Sequence, residues 1–209
     1  MDDTTGIREA FLGLIRVLFV TTTDMRIFYE FAKGEHTEIE GINTKSIHEF
    51  WGRTGVRMLF ANMEAIIYNM KLVAVKVQGH QGVAFTVGEM LLLYEQSYSM
   101  RENGNVIMKE GGAKTEFRAN LKFAVSAFAR ALRSEHVVDY GGAGWARLDR
   151  AVTLRDRLTH PKTASQFMIE VNEFEDAQAG YDWFLEQVNL IIDNSDWSRI
   201  KAALNAQES

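Results

Sequence analysis

A single proline, Pro161, occurs among the 209 residues, so almost every position in the chain can donate the backbone hydrogen bond that a helix interior requires. Over long stretches apolar residues recur every three or four positions, which is the spacing of one face of an α-helix. Apolar residues make up 46% of the chain, enough for a sizeable core. The sequence therefore predicts an all-α fold, organised as a single helical domain over residues 1–209.

Five long segments carry this helical spacing, and the connection between the first two is short enough to predict an antiparallel pair. A shorter helix is expected to open at the capping box Thr86-Val87-Gly88-Glu89 and to end near Tyr98. The glycines in 77–82 are expected to end the second long helix near Val75. The five long helices are predicted at about 7–32, 46–75, 115–133, 145–159 and 172–192, with a last short helix around 197–204. The second is expected to turn inward Phe50, Trp51, Met58, Ala61, Ala65, Tyr68 and Leu72.

The dipeptide Asn103-Gly104 lies between two short runs that can extend as strands. Asn-Gly is the strongest short-range signal for a β-hairpin, because both residues tolerate positive φ. We therefore expect a small β-hairpin near residues 99–108, inserted into an otherwise helical bundle.

Several classes of site are excluded by residue type and spacing. The chain has no cysteine, so disulfides and thiolate metal sites are impossible. No histidine lies four residues from another, and none has a glutamate three positions before it, so the helical di-iron and zinc-protease motifs are missing. Neither a P-loop nor a Gly-x-Ser-x-Gly elbow occurs. We expect neither a metal nor a cofactor.

The N-terminal residues predict the compartment. Met1-Asp2-Asp3 is acidic where a secretory signal would be basic, and the apolar run 11–20 is too short to span a bilayer and contains Arg16. We therefore expect a cytoplasmic protein with no membrane partner.

Charge is segregated along the chain although the net charge is only −5. Residues 114–133 and 141–162 each contain five Lys or Arg, whereas 170–186 contains six acids and no base. A local anion-binding surface on an acidic protein is one interpretation. Solvated helix faces with compensating charges are the other.

Arg155 occupies an unusual position for a charged residue. Projection of helix 145–159 at about 100° per residue places Arg155 near the centre of the apolar face, and Arg157 on roughly the opposite side. A guanidinium cannot lose its charge, so a position on the apolar face requires an anionic or hydrogen-bonding partner. We expect Arg155 to be buried, directed into a cleft or placed against a second subunit, and Arg157 to be solvated. The apolar face consists of Leu148, Ala151, Val152, Leu154 and Leu158.

His160 follows at the end of the same helix, where Pro161 disfavours the helical conformation of the residue before it. Histidine is the side chain that most readily exchanges protons near neutral pH. An imidazole for proton transfer beside a guanidinium for a phosphoryl oxyanion is a minimal set of groups for cleaving RNA without a metal, with the ribose 2′-hydroxyl as nucleophile.

Spacing alone is weak evidence for such a site, because Arg130 and His136 also form an Arg–His pair, with five residues between them. That second pair lies at the end of a helix whose arginines are expected to be solvated. Arg155 differs from Arg130 by its place on an apolar face, by Asp156 directly after it, and by the proline that follows its histidine.

The run Arg155-Asp156-Arg157-Leu158-Thr159-His160 resembles the Arg-x4-His motif of the HEPN superfamily, which lies on the penultimate long helix of a small bundle. The resemblance implies a homodimer in which two motifs face one cleft. It also implies a metal-independent endoribonuclease that leaves a cyclic phosphate. Members often act as toxins or in phage defence, so an antitoxin or other regulatory protein is an expected partner.

Carried over to this chain, the resemblance assigns roles to the motif residues. Arg155 would bind the scissile phosphate, His160 would act as acid or base, and Asp156 would orient one of them. In members of the family, asparagine is commoner than aspartate at the position that Asp156 occupies here. An acid at this position adds negative charge near the phosphate. Arg157, Lys162 and Glu64 are the candidate substrate-binding residues.

Alternatives to this site remain open. Glu64, in the polar interruption Asn62-Met63-Glu64 of the second helix, either reaches Arg155 or His160 across the bundle or forms a surface pair at a helix edge. Arg155 could instead form a packing ion pair with Asp156 or with an acid of 170–186, with His160-Pro161 serving as a helix stop. The alternative function is a non-catalytic HEPN-like binding or scaffold protein for RNA, a nucleotide or a protein.

Overall fold

The computed structural model describes residues 3–33, 42–103, 105–108 and 115–196. This part of the chain contains six α-helices, one 3₁₀ helix and a two-stranded antiparallel hairpin. The prediction of an all-α fold with a small β-hairpin is therefore confirmed. The helix expected around 197–204 and the turn residue Gly104 lie outside the described residues.

The helices lie close to their predicted positions. They are α1 (Asp3–Lys33), α2 (Thr44–Gln81), α3 (Val87–Leu93), α4 (Phe117–Ala131), α5 (Ala143–Thr159) and α6 (Val171–Asp193), with the 3₁₀ helix at Ala164–Phe167 before α6. Strands β1 (Tyr98–Met100) and β2 (Val106–Met108) pair with Ser99 opposite Ile107. The 3₁₀ helix was not predicted, and α3 ends earlier than expected.

The end of α2 was predicted too early. The helix continues through Gly79, because an interior glycine lowers helical preference without removing a hydrogen bond. It ends where Gly82 adopts φ 63° and the N–H of Val83 donates to the carbonyl of Gln78 at 3.0 Å. This is a Schellman ending, and its left-handed residue explains why a glycine occupies position 82.

The capping box that opens α3 is present as predicted. The Thr86 hydroxyl accepts the N–H of Glu89 at 3.3 Å, and the Glu89 carboxylate accepts the N–H of Thr86 at 2.7 Å. Two backbone donors that the first helical turn cannot satisfy are therefore paired.

The chain divides into two compact units, and the single domain over residues 1–209 stays a prediction. Unit 1 takes residues 1–15, 67–136 and 189–209, and so contains α3, the hairpin and α4. Its core includes a buried lysine, Lys71, which is 2% exposed and whose ammonium lies 3.0 Å from the carboxylate of Glu95. Apolar side chains buried in this unit include Met70, Val73, Ala74, Leu93, Leu121, Ala124, Phe128 and Leu132.

Unit 2 takes residues 16–66 and 137–188, which are parts of α1, α2 and α6 together with all of α5. Phe28 of α1 stacks edge-on against Trp51 of α2, and the amide of Asn62 donates to the carbonyl of Thr21 at 3.4 Å. Since positions rise along α1 as they fall along α2, these two helices are antiparallel, as predicted. Buried apolar side chains here include Met25, Val56, Leu59, Phe60, Met63, Leu148, Val152, Leu158, Phe184 and Val188.

Four contacts arrange the helices of unit 2 in a ring. Thr21 joins α1 to α2, as described. Glu64 joins α2 to Arg155 of α5. Gly180 of α6 lies so close to Leu148 that a Cβ at position 180 would be 2.7 Å from the Leu148 Cα, and Phe174 of α6 packs edge-on against Tyr29 of α1. Helices α1 and α5 therefore occupy opposite corners of the ring.

The inward face of α2 was predicted incorrectly. Phe50, Ala61 and Tyr68 are exposed, although their spacing was interpreted as a core face. The reason is that α2 is apolar around most of its circumference, so periodicity does not select one side and the packing of neighbouring helices decides. The side chains that α2 buries include Ile47, Val56, Leu59, Phe60, Met63, Ile66, Ile67 and Met70.

Among the described residues, α2 is also long and apolar enough to cross a membrane by length and composition. Its most apolar window within Thr44–Gln78 has a mean hydropathy of 1.3, and 56% of that window is buried inside the protein. Buried core helices have the same composition, so this feature is weak evidence for a membrane span.

Candidate active site

Helix α5 carries the three charged residues of the motif and ends at His160. Its predicted apolar face is confirmed, because Leu148, Ala151, Val152, Leu154 and Leu158 are all buried. At its start, Trp145 packs edge-on against Tyr140 and Trp183, with ring centroids 5.1 and 6.1 Å apart. The position of α5 in unit 2 is therefore fixed at both ends by apolar contacts.

The guanidinium of Arg155 lies between two carboxylates. Its Nη2 is 2.7 Å from Oε1 of Glu64, and its Nη1 is 3.2 Å from Oδ1 of Asp156. The same group lies 5.7 Å from the ring centroid of Phe60, one turn before Glu64 on α2. Both acids are about half exposed. The charge on Arg155 thus has the anionic partners that its position requires.

Arg155 is not buried, although its Cα lies on the buried face of α5. Its side chain is 30% exposed. The long aliphatic stem carries the guanidinium from the apolar face to the edge where α5 meets α2, as arginine stems do at the rims of cores. The sequence left two possibilities for Glu64: contact with Arg155 or His160, or a surface pair at a helix edge. Both hold, because Glu64 reaches Arg155 and the pair lies at the surface.

Arg157 differs from its prediction. It is 31% exposed, as much as Arg155, and its Nη2 lies 2.9 and 2.8 Å from the two carboxylate oxygens of Glu173. Glu173 belongs to the first turn of α6, and its carboxylate also accepts the N–H of Glu170 at 3.0 Å. Arg157 is therefore part of the contact between α5 and α6, and the expectation of a solvated charge was wrong.

His160 is the C-cap of α5. Its backbone has left the helical conformation, with φ −126° and ψ 53°, and its N–H donates to the carbonyl of Asp156 at 3.1 Å. This agrees with the predicted effect of Pro161. The imidazole side chain is exposed. Within the described ranges, no group of three or more His, Asp and Glu side chains is placed to hold a metal ion.

Lys162 follows in the loop before the 3₁₀ helix. Its side chain is exposed, and its backbone N–H donates to the side-chain oxygen of Gln166. The structure thus brings together Glu64, Arg155 and Asp156, directs Arg157 towards α6, and leaves His160 and Lys162 accessible beyond the helix end.

The second Arg–His pair, Arg130 and His136, lies in unit 1. Its arginine joins two helices of that unit. The guanidinium of Arg130 is 2.7 Å from Glu89, the residue that caps α3, and lies 4.3 Å over the ring of Phe85. Arg130 therefore ties α4 to the start of α3. Arg155 makes contacts of the same kind with Glu64 and Phe60, so the two pairs differ in their histidines: His160 is exposed at a helix end, whereas His136 is half-buried.

A cavity of about 420 Å³ lies beside Arg157, between α5 and α6, and most of the residues that line it are charged or polar. Arg150 closes one side of it, with Nε 2.7 Å and Nη2 3.1 Å from the carboxylate of Asp176. The hydrogen bond from Arg150 holds the pKa of Asp176 below its usual range. The segregated charges of 141–162 and 170–186 therefore compensate each other at least in part, through Arg150 with Asp176 and Arg157 with Glu173.

Comparison of the chain with protein-family models, with curated proteins and with solved structures found no significant match.

Proposed function

We propose that this protein is a metal-independent endoribonuclease of HEPN type, which acts as a homodimer with Arg155 and His160 at the cleft between the subunits. The observation that best supports the proposal is the guanidinium of Arg155. Two carboxylates hold it in a fixed orientation at a helix edge, and 30% of the side chain remains exposed to a ligand. An exposed imidazole follows five residues later on the same helix end.

In the proposed reaction the ribose 2′-oxygen attacks phosphorus and the bond to the 5′-oxygen breaks. His160 accepts the proton of the 2′-hydroxyl, and a protonated imidazole, supplied by the partner's His160, donates a proton to the leaving 5′-oxygen. Arg155 stabilises the negative charge that develops on the non-bridging oxygens. The products are a 2′,3′-cyclic phosphate and a free 5′-hydroxyl.

Glu64 and Asp156 have two roles in this proposal. They orient the guanidinium, which a catalytic arginine requires. They also compete with a phosphate for it, because two negative charges surround one positive charge. A phosphate that approaches Arg155 is repelled by both carboxylates and competes with them for the N–H donors of the guanidinium. Arg157 and Lys162 would add positive charge along the path of the RNA backbone.

The test is cleavage of total cellular RNA by the purified protein in the presence of EDTA. Cleavage should leave cyclic phosphate ends and should be lost in His160→Ala and Arg155→Ala. His136→Ala is the matched control, because it removes a histidine from the second Arg–His pair and should leave cleavage unchanged. Cleavage that survives His160→Ala, or a parent protein that never cleaves, would disprove the proposal.

A second candidate is a non-catalytic protein that uses the same surface to hold RNA, a nucleotide or a protein. It is favoured by the double carboxylate pairing of Arg155, because a guanidinium that already neutralises two acids stabilises less of the extra negative charge that develops in a transition state. It predicts RNA binding that is lost in Arg155→Ala, without any cleavage.

A role as a toxin or phage-defence effector in the cytoplasm follows from the ribonuclease proposal. A free ribonuclease should slow the growth of cells that express it unless an antitoxin or other regulatory protein restrains it. Growth after induction of the parent, compared with His160→Ala, measures this effect.

A further inference from the structure

The outward side of α1 carries a row of large apolar side chains. Phe19, Ile27 and Phe31 are 72%, 51% and 55% exposed, and all three belong to unit 2. Together with Thr23 they occupy every fourth position, so they form one continuous ridge along the helix. The opposite side of the same helix segment buries Met25 and Phe28 in the core of unit 2.

Single exposed apolar residues are common on protein surfaces, but a contiguous row is typical of an interaction surface. Ridges formed by every fourth residue are also the feature that interdigitates in the commonest class of helix–helix packing. The row Phe19, Thr23, Ile27 and Phe31 has this geometry, with a small residue where two helices would approach most closely.

Two of the charges beside the ridge, Arg16 and Glu30, lie symmetrically about Thr23 and have opposite signs. Arg16 lies seven residues before Thr23 and Glu30 lies seven residues after it, and both side chains are exposed. If two α1 helices cross in antiparallel directions with a two-fold axis at Thr23, Arg16 faces the partner's Glu30. In the same arrangement Phe19 faces the partner's Ile27. A parallel arrangement in register would instead place Arg16 beside the partner's Arg16.

We infer that this ridge is a homodimer interface, in which a second copy of the chain packs its own α1 in antiparallel orientation about a two-fold axis at Thr23. A self-complementary surface is what a two-fold interface requires. Helices α1 and α5 lie at opposite corners of unit 2, so this surface is distinct from the Arg155 cleft. The inference is independent of the proposed ribonuclease function.

The inferred geometry permits cross-linking with a single cysteine. Packed helices have axes about 8–10 Å apart, and Cα atoms lie about 2.3 Å from each axis, so facing Cα atoms are about 3.4–5.4 Å apart. The upper part of that range suits a disulfide. The chain has no cysteine of its own, so any cross-link reports only the introduced residue.

The first experiment compares Thr23→Cys with Thr22→Cys under mild oxidation. Thr22 is exposed, whereas Thr23 is half-buried, and Thr22 points about 100° away around the helix, so it is a control that random collisions would cross-link at least as readily. We expect Thr23→Cys to form a covalent dimer readily and Thr22→Cys to form little. Equal cross-linking of the two variants would overturn the inference.

The second experiment measures mass by analytical ultracentrifugation over a range of concentrations. Phe19→Asp should raise the dissociation constant for association through α1 by about 30-fold or more, because it places a carboxylate in the interface. Val137→Asp, at another exposed apolar residue of unit 2, is the control and should leave association unchanged.

Arg16→Glu should also weaken association, and Arg16→Glu combined with Glu30→Arg should restore it. Equal masses of the parent and Phe19→Asp at every concentration would count decisively against the interface.

Discussion

The guanidinium of Arg155 and the carboxylate of Glu64 are 91 residues apart in sequence and 2.7 Å apart in space. This ion pair joins α5 to α2 at the surface of unit 2. Both partners are partly exposed, so the pair contributes little to stability, about 1 kcal/mol at most. Its importance lies in the state of the guanidinium, which is held in place and partly neutralised before any ligand arrives.

The first prediction follows from these two effects. Glu64→Gln removes one competing charge and weakens the hold on Arg155. We expect RNA to bind several-fold more tightly, because phosphate meets one negative charge fewer there. We expect the rate of cleavage at saturating RNA to fall about tenfold, because the guanidinium is less well oriented. Fluorescence anisotropy and single-turnover cleavage measure the two quantities separately.

The control for Glu64→Gln is Glu175→Gln, which removes the same charge from an exposed position on α6. It should change neither quantity, provided that long-range charge is screened by salt. If Glu175→Gln tightens RNA binding as much as Glu64→Gln, the effect is one of net charge and the local explanation is wrong.

The second prediction concerns Asp156, whose carboxylate lies 3.2 Å from Nη1 of Arg155. Asp156→Asn keeps a hydrogen-bonding oxygen at the same place but removes the negative charge. We expect cleavage at low RNA concentration to increase several-fold, since phosphate meets less repulsion while Arg155 keeps its orientation. Initial rates in EDTA test this, with Asp149→Asn on the same helix as the control. A fall in rate would contradict this prediction and show that the negative charge of Asp156 assists the reaction.

The sequence was sufficient to predict the helices, the hairpin and the capping box, because each has a local signal. It was also sufficient for the apolar face of α5, whose polar residues mark its other side clearly. The orientation of α2 was not predictable in this way, since the helix is apolar nearly all round and its neighbours determine which side is buried. Helical spacing alone placed Phe50 and Tyr68 in the core, and both are exposed.

The candidate site was also predictable only in part. The requirement of Arg155 for an anionic partner followed from its position, and the structure supplies Glu64 and Asp156. The partner of Arg157 was not predictable, because Glu173 is brought to it only by the packing of α6 on α5. Charge complementarity between 141–162 and 170–186 was the available signal, but it does not specify which arginine meets which acid.

The third prediction is a dependence of stability on pH. The N–H of Thr86 and the guanidinium of Arg130 both bind the carboxylate of Glu89, and they hold its pKa below the usual range. An acid with a lowered pKa in the folded state contributes stability above its unfolded pKa of about 4.3, and the contribution is lost as pH falls through the folded value.

We therefore expect Glu89→Gln to be less stable than the parent near neutral pH and to approach it in strong acid. Urea unfolding at about pH 7 and about pH 3 measures the difference. Glu102→Gln, at an exposed acid before β2, is the control and should leave the difference between the two pH values unchanged. A constant deficit of Glu89→Gln at both pH values would indicate a loss of packing in place of a loss of charge.

The fourth prediction concerns the buried lysine of unit 1. The ammonium of Lys71 is 2% exposed and lies 3.0 Å from Glu95, whose backbone is held at φ 54° at the Schellman ending of α3. Glu95→Gln leaves a buried positive charge without its counter-charge, which should cost about 1–3 kcal/mol. Lys71→Met removes the buried charge and keeps a side chain that fills a similar volume, so the loss in free energy of unfolding should be smaller.

The double variant Lys71→Met with Glu95→Gln should be about as stable as Lys71→Met alone, because the charge that made Glu95→Gln costly is no longer present. Urea unfolding of the four proteins completes a double-mutant cycle, and additive losses from the two single variants would show that the ion pair has no energetic coupling.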